Sequence, residues 1–253
     1  MAGIKLRTAE EIELIRAACQ VVADVLAKIA PEIKPGVTTE YLDSVAEKLI
    51  RERGAEPVFI GYRGYRHATC ISVNEEIVHG IPGAKVLKNG DIVGLDLGCR
   101  LNGYCGDTAA TFPVGKVSAA ASRLLKTTEL ALQVAMKQVR AGGYLGDISA
   151  AIQKVAETNG YSVVRELYGH GVGTELHEDP LIPNFGKPGE GPQLKTGMVL
   201  AIEPMLNIGT WQIKTLADGW TVVTADGSLS SHFEHTVVVG DEGPEILTKR
   251  KER

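Results

Sequence analysis

Near the start of the chain, Ile12, Ile15, Ala18, Val22, Val25 and Ile29 recur at spacings of three and four, which places them on one face of a helix. Thr8-Ala9-Glu10-Glu11 reads as the capping box that opens this helix, and Pro35-Gly36 stops it. Thr38 or Thr39 can cap a second helix, running to Gly54. Ala119 to Val139 and Asp147 to Thr158 repeat the arrangement. Elsewhere the pattern shortens to that of strands, predicted over Thr69 to Val73, Asp91 to Gly98, Tyr104 to Phe112, Val199 to Ile208, Trp220 to Thr224 and His232 to Val239. The turns between them favour antiparallel pairing. Asn184 to Gln193, rich in Gly and Pro, reads as a surface loop, and Lys249 to Arg253 as a short solvated tail.

The second half of this pattern echoes the first. Lys34-Pro35-Gly36, Leu42, Val45, Lys48 and Gly54 return as Arg140-Ala141-Gly142, Ile148, Ala151, Lys154 and Gly160, displaced by 106 positions. Leu87 to Asp96 aligns with Leu194 to Glu203 at a displacement of 107, so each half carries a carboxylate at the same point of a matching strand. The expected architecture is α+β. Two helix pairs cover one face of a curved, mostly antiparallel sheet, and a pseudo-twofold axis relates halves of about 8–115 and 119–240. Neither half covers its apolar sheet alone, so residues 1–253 are expected to form a single structural domain.

Composition narrows the function classes. The apolar share of 44% and charged share of 23% are those of a globular protein, and Asp24 and Lys28 interrupt the apolar stretch Val21 to Ala30, far short of a bilayer span. No export signal is visible at the start of the sequence. A net charge of −4 offers no footprint for a phosphate backbone, so neither nucleic acid nor membrane is expected as a partner. Cys19, Cys70, Cys99 and Cys105 form no CxxC pair, which suggests free thiols and a cytoplasmic protein.

Chemistry enters through one hairpin. Asn102-Gly103 is a type I′ turn signal. If Leu101 pairs with Tyr104, Gly98 faces Asp107 and Asp96 faces Ala109. Asp96 and Asp107 are then diagonal neighbours on one face, about 7–8 Å apart in the backbone. The same register sets Cys99 opposite Gly106 and on the other face from Cys105, which disfavours a disulfide between them. By the duplication Glu203 matches Asp96, and Glu234 falls roughly at the place of Asp107, on a strand whose opposite face carries Phe233, His235 and Val237. Four inward acids with no lysine or arginine in their strands point to divalent metal, at least two ions. His170, in Gly169-His170-Gly171-Val172-Gly173, can add a nitrogen ligand, since its glycines allow close backbone approach. Carboxylates with one imidazole suit Mn, Fe, Co or Zn, and a pair of such ions can activate water for hydrolysis.

Asp96, Asp107, His170, Glu203 and Glu234 in that order, with His79 in Val78-His79-Gly80-Ile81-Pro82 and His177 in His177-Glu178-Asp179-Pro180, resemble the type I methionine aminopeptidases over nearly the whole chain. The resemblance implies the pita-bread fold and removal of an initiator methionine that precedes a small residue. It implies two divalent ions (Co, Mn, Fe, Zn or Ni) held by the five ligands. Glu203 would also shuttle a proton, His79 would contact the scissile amide, and His177 would steady the oxyanion. Phe59, Tyr62, Tyr65, Cys70 and Trp220 fall where similar proteins line the methionine pocket, and Asn74 and Ser230 where a monovalent cation is held. Phe59 and Leu176 depart from the residues common there but keep the pocket apolar. Nascent polypeptide N-termini, the ribosome and a monomeric state complete what the resemblance implies.

Other readings remain. A pita-bread peptidase acting on Xaa-Pro bonds would use the same ligands, and an inactive binding protein would keep the fold, though it would be expected to lose one of them. Outside the resemblance the aromatics read as core or rim residues. His67, His232 and His235 read as structural.

Overall fold

A computed structural model describes residues 3–250. The four expected helices form, as α1 (Ala9–Ile29), α2 (Thr39–Arg51), α3 (Ala119–Met136) and α4 (Leu145–Thr158). The capping box of α1 is complete, with Glu11 N–H donating to Thr8 Oγ1 (3.2 Å) and Thr8 N–H to Glu11 Oε2 (2.9 Å). Its predicted face is buried at Ile15, Ala18, Val22, Val25 and Ile29. Thr38 caps α2 and Ser118 caps α3 through their hydroxyls.

Strands of the first half are β1 (Glu56–Pro57), β2 (Thr69–Val73), β3 (Glu76–Val78), β4 (Ile92–Leu101) and β5 (Tyr104–Pro113). After α4 come β6 (Ser162–Val163), β7 (Tyr168–Gly171), β8 (Glu178–Pro183), β9 (Val199–Ile202) and β10 (Met205–Asn207). The remainder are β11 (Ile213–Thr215), β12 (Val222–Thr224), β13 (Ser230–His232), β14 (His235–Val239) and β15 (Pro244–Ile246).

Every described pairing is antiparallel, but the expected single sheet is divided into four hydrogen-bonded groups. One carries β1, β2 and β5 around β4, and another has the order β15-β14-β9-β7-β8. The two smaller ones are β13-β10-β6 and β11-β12-β3. A continuous cluster of buried apolar side chains runs through all four helices and the strands of both halves.

The β4–β5 hairpin has the expected register: Leu101 pairs with Tyr104, Gly98 with Asp107 and Asp96 with Ala109. Asn102 and Gly103 take φ values of 50° and 84°, as the turn requires. All four cysteines are free and buried, with Cys99 opposite Gly106.

Two predicted strands are broken. Val199 to Ile208 stops at Ile202 and resumes at Met205, because Pro204 has no N–H to extend the ladder. His232 to Val239 is interrupted at Phe233-Glu234, so Glu234 lies between strands rather than on one. The register is unbroken across both gaps: Ile202 pairs with His235 and Met205 with His232, which sets Glu203 opposite Glu234. Of the expected tail, Lys249 is exposed and Arg250 half-buried, while residues 251–253 lie outside the described part; just before it Thr248 is buried and receives Thr236 N–H (3.0 Å).

Beyond its ladder with β4, β5 is seamed to the other half by hydroxyls. Thr108 Oγ1 donates to Glu234 O (3.0 Å), Thr111 Oγ1 to His232 O (2.7 Å) and Thr236 Oγ1 to Asp107 O (2.8 Å), while Glu234 N–H reaches Ala109 O (2.9 Å). On its other side β5 lies against α1 so closely that a Cβ on Gly106 would stand 2.5 Å from Cys19 N and 2.6 Å from Ala18 C. Gly106→Ala is therefore expected to push α1 off the hairpin and cost about 1–3 kcal/mol of stability in urea unfolding. A loss below about 0.5 kcal/mol would contradict that contact.

Candidate metal centre

The hairpin, the seam and the two strand breaks deliver acids to one place. Asp96 and Asp107 project from the same face of β4–β5, and Glu203 and Glu234 arrive from the gaps. His170 arrives on β7, which runs between β8 and β9. A Cβ on Gly171 would stand 2.3 Å from Asp179 O, so only glycine permits that approach.

Asp107, His170 and Glu234 each offer a ligand atom within 4.8 Å of the others, and all three are buried. His170 Nε2 lies 3.7 Å from Asp107 Oδ2 and 3.6 Å from Glu203 Oε1. Asp96 Oδ1, Asp107 Oδ1 and Glu234 Oε1 are buried without hydrogen-bond partners. Two carboxylate charges at most 4.8 Å apart repel by about 3 kcal/mol at an effective dielectric constant near 20, before the larger cost of desolvation. Burial first, and then the charge of neighbouring carboxylates, raises the pKa of Asp96, Asp107 and Glu234 well above the ordinary range.

His170 shows what the cluster is built to hold. Its Nδ1 lies 2.9 Å from Gly171 O, and a carbonyl can only accept, so the ring proton belongs to Nδ1. In the neutral ring Nε2 then turns a lone pair toward two carboxylates. Such an arrangement is repulsive unless a proton or a cation lies between them, and a carbonyl on the far nitrogen is the usual orienting partner of a metal-bound histidine. The residues fit a divalent metal.

A cavity of about 380 Å³ opens above this floor. Its walls include every residue the sequence assigned to ligation, catalysis or the methionine pocket. Phe59, Tyr65, Cys70 and Leu176 form a buried apolar cluster, with Tyr62 and Trp220 packed on it. Tyr65 and Trp220 meet edge to face with ring centroids 4.9 Å apart, and Tyr65 Oη donates to Thr69 O (2.9 Å). His177 packs on His170 (4.3 Å between centroids) and Tyr62 (5.1 Å). Burial, followed by His170, His79 and Arg63, depresses the His177 pKa to about 3. His79 takes a left-handed φ of 58° beside Trp220, and burial lowers its pKa against the pull of Glu203.

Of the histidines read as structural, His67 bonds Asp43 and His235 bonds Thr248. His232 does not fit that reading, because its Nε2 lies 3.5 Å from Glu203 Oε2. Its position two residues before Glu234 was the available signal. Tyr168 and Leu181, on the cavity rim, carried no such mark in the sequence.

An acid cluster turned around a metal-oriented imidazole, at the foot of an apolar cavity, defines a class of metal-dependent hydrolase. The chain belongs to metallopeptidase family M24, whose model matches residues 13–241. It is similar to Methionine aminopeptidase 1 of Bacillus subtilis (strain 168), with 51% identity over 243 residues covering 96% of this chain and 98% of the relative. The crystal structure of methionine aminopeptidase from Thermotoga maritima superposes with a TM-score of 0.97 at 45% identity, covering 98% of this chain and 100% of that one. Prolidase from Pyrococcus furiosus has a TM-score of 0.80 at 25% identity, and the match covers 98% of this chain but 66% of the prolidase. The pita-bread fold expected from the sequence is the one these structures share, and the protein is a metallo-aminopeptidase that uses divalent metal. Among the described residues, no helix is long and apolar enough to cross a membrane.

Raised carboxyl pKa values carry a sign for stability. The unfolded chain releases these protons at lower pH than the native site does. The metal-free protein therefore keeps this contribution in acid and loses it as pH rises past about 4–5. A divalent ion substitutes for the protons, so the rise in Tm produced by saturating manganese is expected to grow from about pH 5.5 to about pH 7.5. Calorimetric scans with and without manganese measure it, and an increment that shrinks over that interval would contradict the carboxylate origin.

Proposed function

We propose that this protein removes the N-terminal methionine from nascent polypeptides whose second residue is small, acting in the cytoplasm as a monomer with a single catalytic domain. The observation that carries the reading is the meeting, in one cavity, of a buried apolar and aromatic wall with a buried acid and imidazole floor. The names of the relatives above support the same substrate.

In this reading Asp96, Asp107, His170, Glu203 and Glu234 hold two divalent ions, drawn from Co, Mn, Fe, Zn and Ni. When bound, the ions supply charge to neutralise the acids, acidify water and polarise the scissile carbonyl. Phe59, Tyr62, Tyr65, Cys70 and Trp220 receive the methionine side chain and exclude water from it. His177, kept uncharged by its depressed pKa, offers an N–H to the oxyanion as charge develops. His79, aimed by its left-handed backbone, contacts the scissile amide and assists the leaving amine. Glu203, partly buried at the cavity floor, carries the proton from water to that amine. A monovalent cation beside Asn74 and Ser230 belongs to the same proposal, supported by the bond from Ser230 N–H to Asn74 O (2.9 Å). So does work at the ribosome.

The purified protein with manganese is expected to release methionine from Met-Ala-Ser and to leave Met-Lys-Ser largely intact. Cleavage of Xaa-Pro peptides in its place would favour the prolidase-like reading. Asp107→Ala is expected to lose metal binding in calorimetry and turnover together, the latter by more than about 100-fold. His177→Ala should keep its metal and lose about 100- to 1000-fold in kcat, as removal of an oxyanion donor does elsewhere. A variant of Asp107 with unchanged activity would remove it from the ligand set.

A further inference from the structure

His232 is a buried imidazole that the chemistry above leaves unused. It ends β13, is 4% exposed, and forms no part of the cavity wall. Its Nε2 is buried without a hydrogen-bond partner and lies 3.5 Å from Glu203 Oε2, a few tenths of an ångström beyond a formed bond. The other oxygen, Glu203 Oε1, faces His170 Nε2 at 3.6 Å. One carboxylate is thus bracketed by two imidazoles, and they are not equivalent. His170 donates through Nδ1 to Gly171 O and turns a lone pair to Glu203, whereas His232 Nε2 has no hydrogen-bond partner among the described residues and is free to carry a proton.

The backbone holds that ring in place. His232 N–H donates to Thr111 Oγ1 (3.0 Å), and His232 O accepts from the same hydroxyl (2.7 Å). On the opposite strand Met205 pairs with His232, two residues beyond Glu203. The side chain therefore points at Glu203 from a segment clipped on both sides, and a small rotation of Glu203 closes the bond.

We propose that His232 is a positioning residue for Glu203. It donates Nε2–H to Glu203 Oε2 and so fixes the rotation that turns Oε1 toward His170 and the cavity. The inference rests on the role given to Glu203 above. Its physical content is that a carboxylate already oriented by a fixed donor loses less side-chain freedom when it binds metal, and presents the same oxygen in every turnover.

The test compares the full-length wild-type protein with His232→Gln, which keeps an N–H donor at similar reach, and His232→Leu, which keeps volume without one. Three quantities are read: the affinity of the metal-stripped protein for manganese by calorimetry, its Tm, and kcat and KM on Met-Ala-Ser. His232→Leu is expected to bind manganese about 10- to 100-fold more weakly and to lose kcat by a similar factor, with KM within about twofold. His232→Gln should recover both to within about threefold, and the metal-stripped Tm of all three should agree within a few degrees. If His232→Leu does not fold, His232→Asn, whose amide is too short to reach Glu203, replaces it with the same expectation. Wild-type affinity and kcat in the leucine variant would overturn the inference. Equal impairment of the glutamine and leucine variants would also overturn it, since packing alone would then explain the residue. Manganese affinity is read without substrate, so a wild-type protein inert toward Met-Ala-Ser would defeat the proposed substrate and leave the His232 comparison intact.

Discussion

Negative oxygens that cannot all be charged in the space they share are the constraint around which this molecule is arranged. Asp96, Asp107 and Glu234 carry buried oxygens with no donor, and the register sets Glu203 directly opposite Glu234. Like charges facing across paired strands destabilise a sheet, and burial enlarges the effect by removing water. The arrangement is stable only with protons or cations between the acids. The His170 ring is turned to receive either, because its proton is committed to Gly171 O and its free nitrogen faces the acids as an acceptor, the orientation of a metal-bound histidine.

The scaffold accepts this cost because the acids sit on backbone that is tied from several directions. Thr108, Thr111 and Thr236 bridge β5 to the strands that follow Glu203 and flank Glu234, each hydroxyl bonding a carbonyl within a residue or two of a site acid. Pro204 breaks the chain between β9 and β10 beside Glu203, and the gap between β13 and β14 falls at Glu234. The ladder is thus interrupted where its side chains are needed for chemistry and continued on either side, so that local freedom at the acids does not become freedom of the sheet.

The cavity divides its tasks by polarity. Its apolar wall of Phe59, Tyr65, Cys70 and Leu176 is backed by the edge contact of Tyr65 with Trp220. Its polar floor takes Asp96 and Asp107 from the first half and His170, Glu203 and Glu234 from the second. Between them His79 and His177 stay uncharged through burial, which makes them hydrogen-bond donors without adding positive charge that would compete with metal.

Much of this was legible in the chain. The helices followed from apolar spacing and from caps at Thr8 and Thr38, and the β4–β5 register followed from one Asn-Gly turn, because both depend on neighbours within a few residues. That register alone made Asp96 and Asp107 share a face. The duplication and the family resemblance named the remaining acids and the two histidines of the cavity wall, His79 and His177. Local pattern had no means of showing that the sheet divides into four, that Glu234 leaves its strand, or that His232 turns to Glu203. Those features arise from pairing between β10 and β13 and from hydroxyls reaching across the two halves, contacts separated by many residues and selected only when the whole core closes. The sequence by itself determined which elements form and which acids are present. The tertiary structure decided which of them face one another, because cross-strand opposition between distant segments is a property of packing rather than of periodicity.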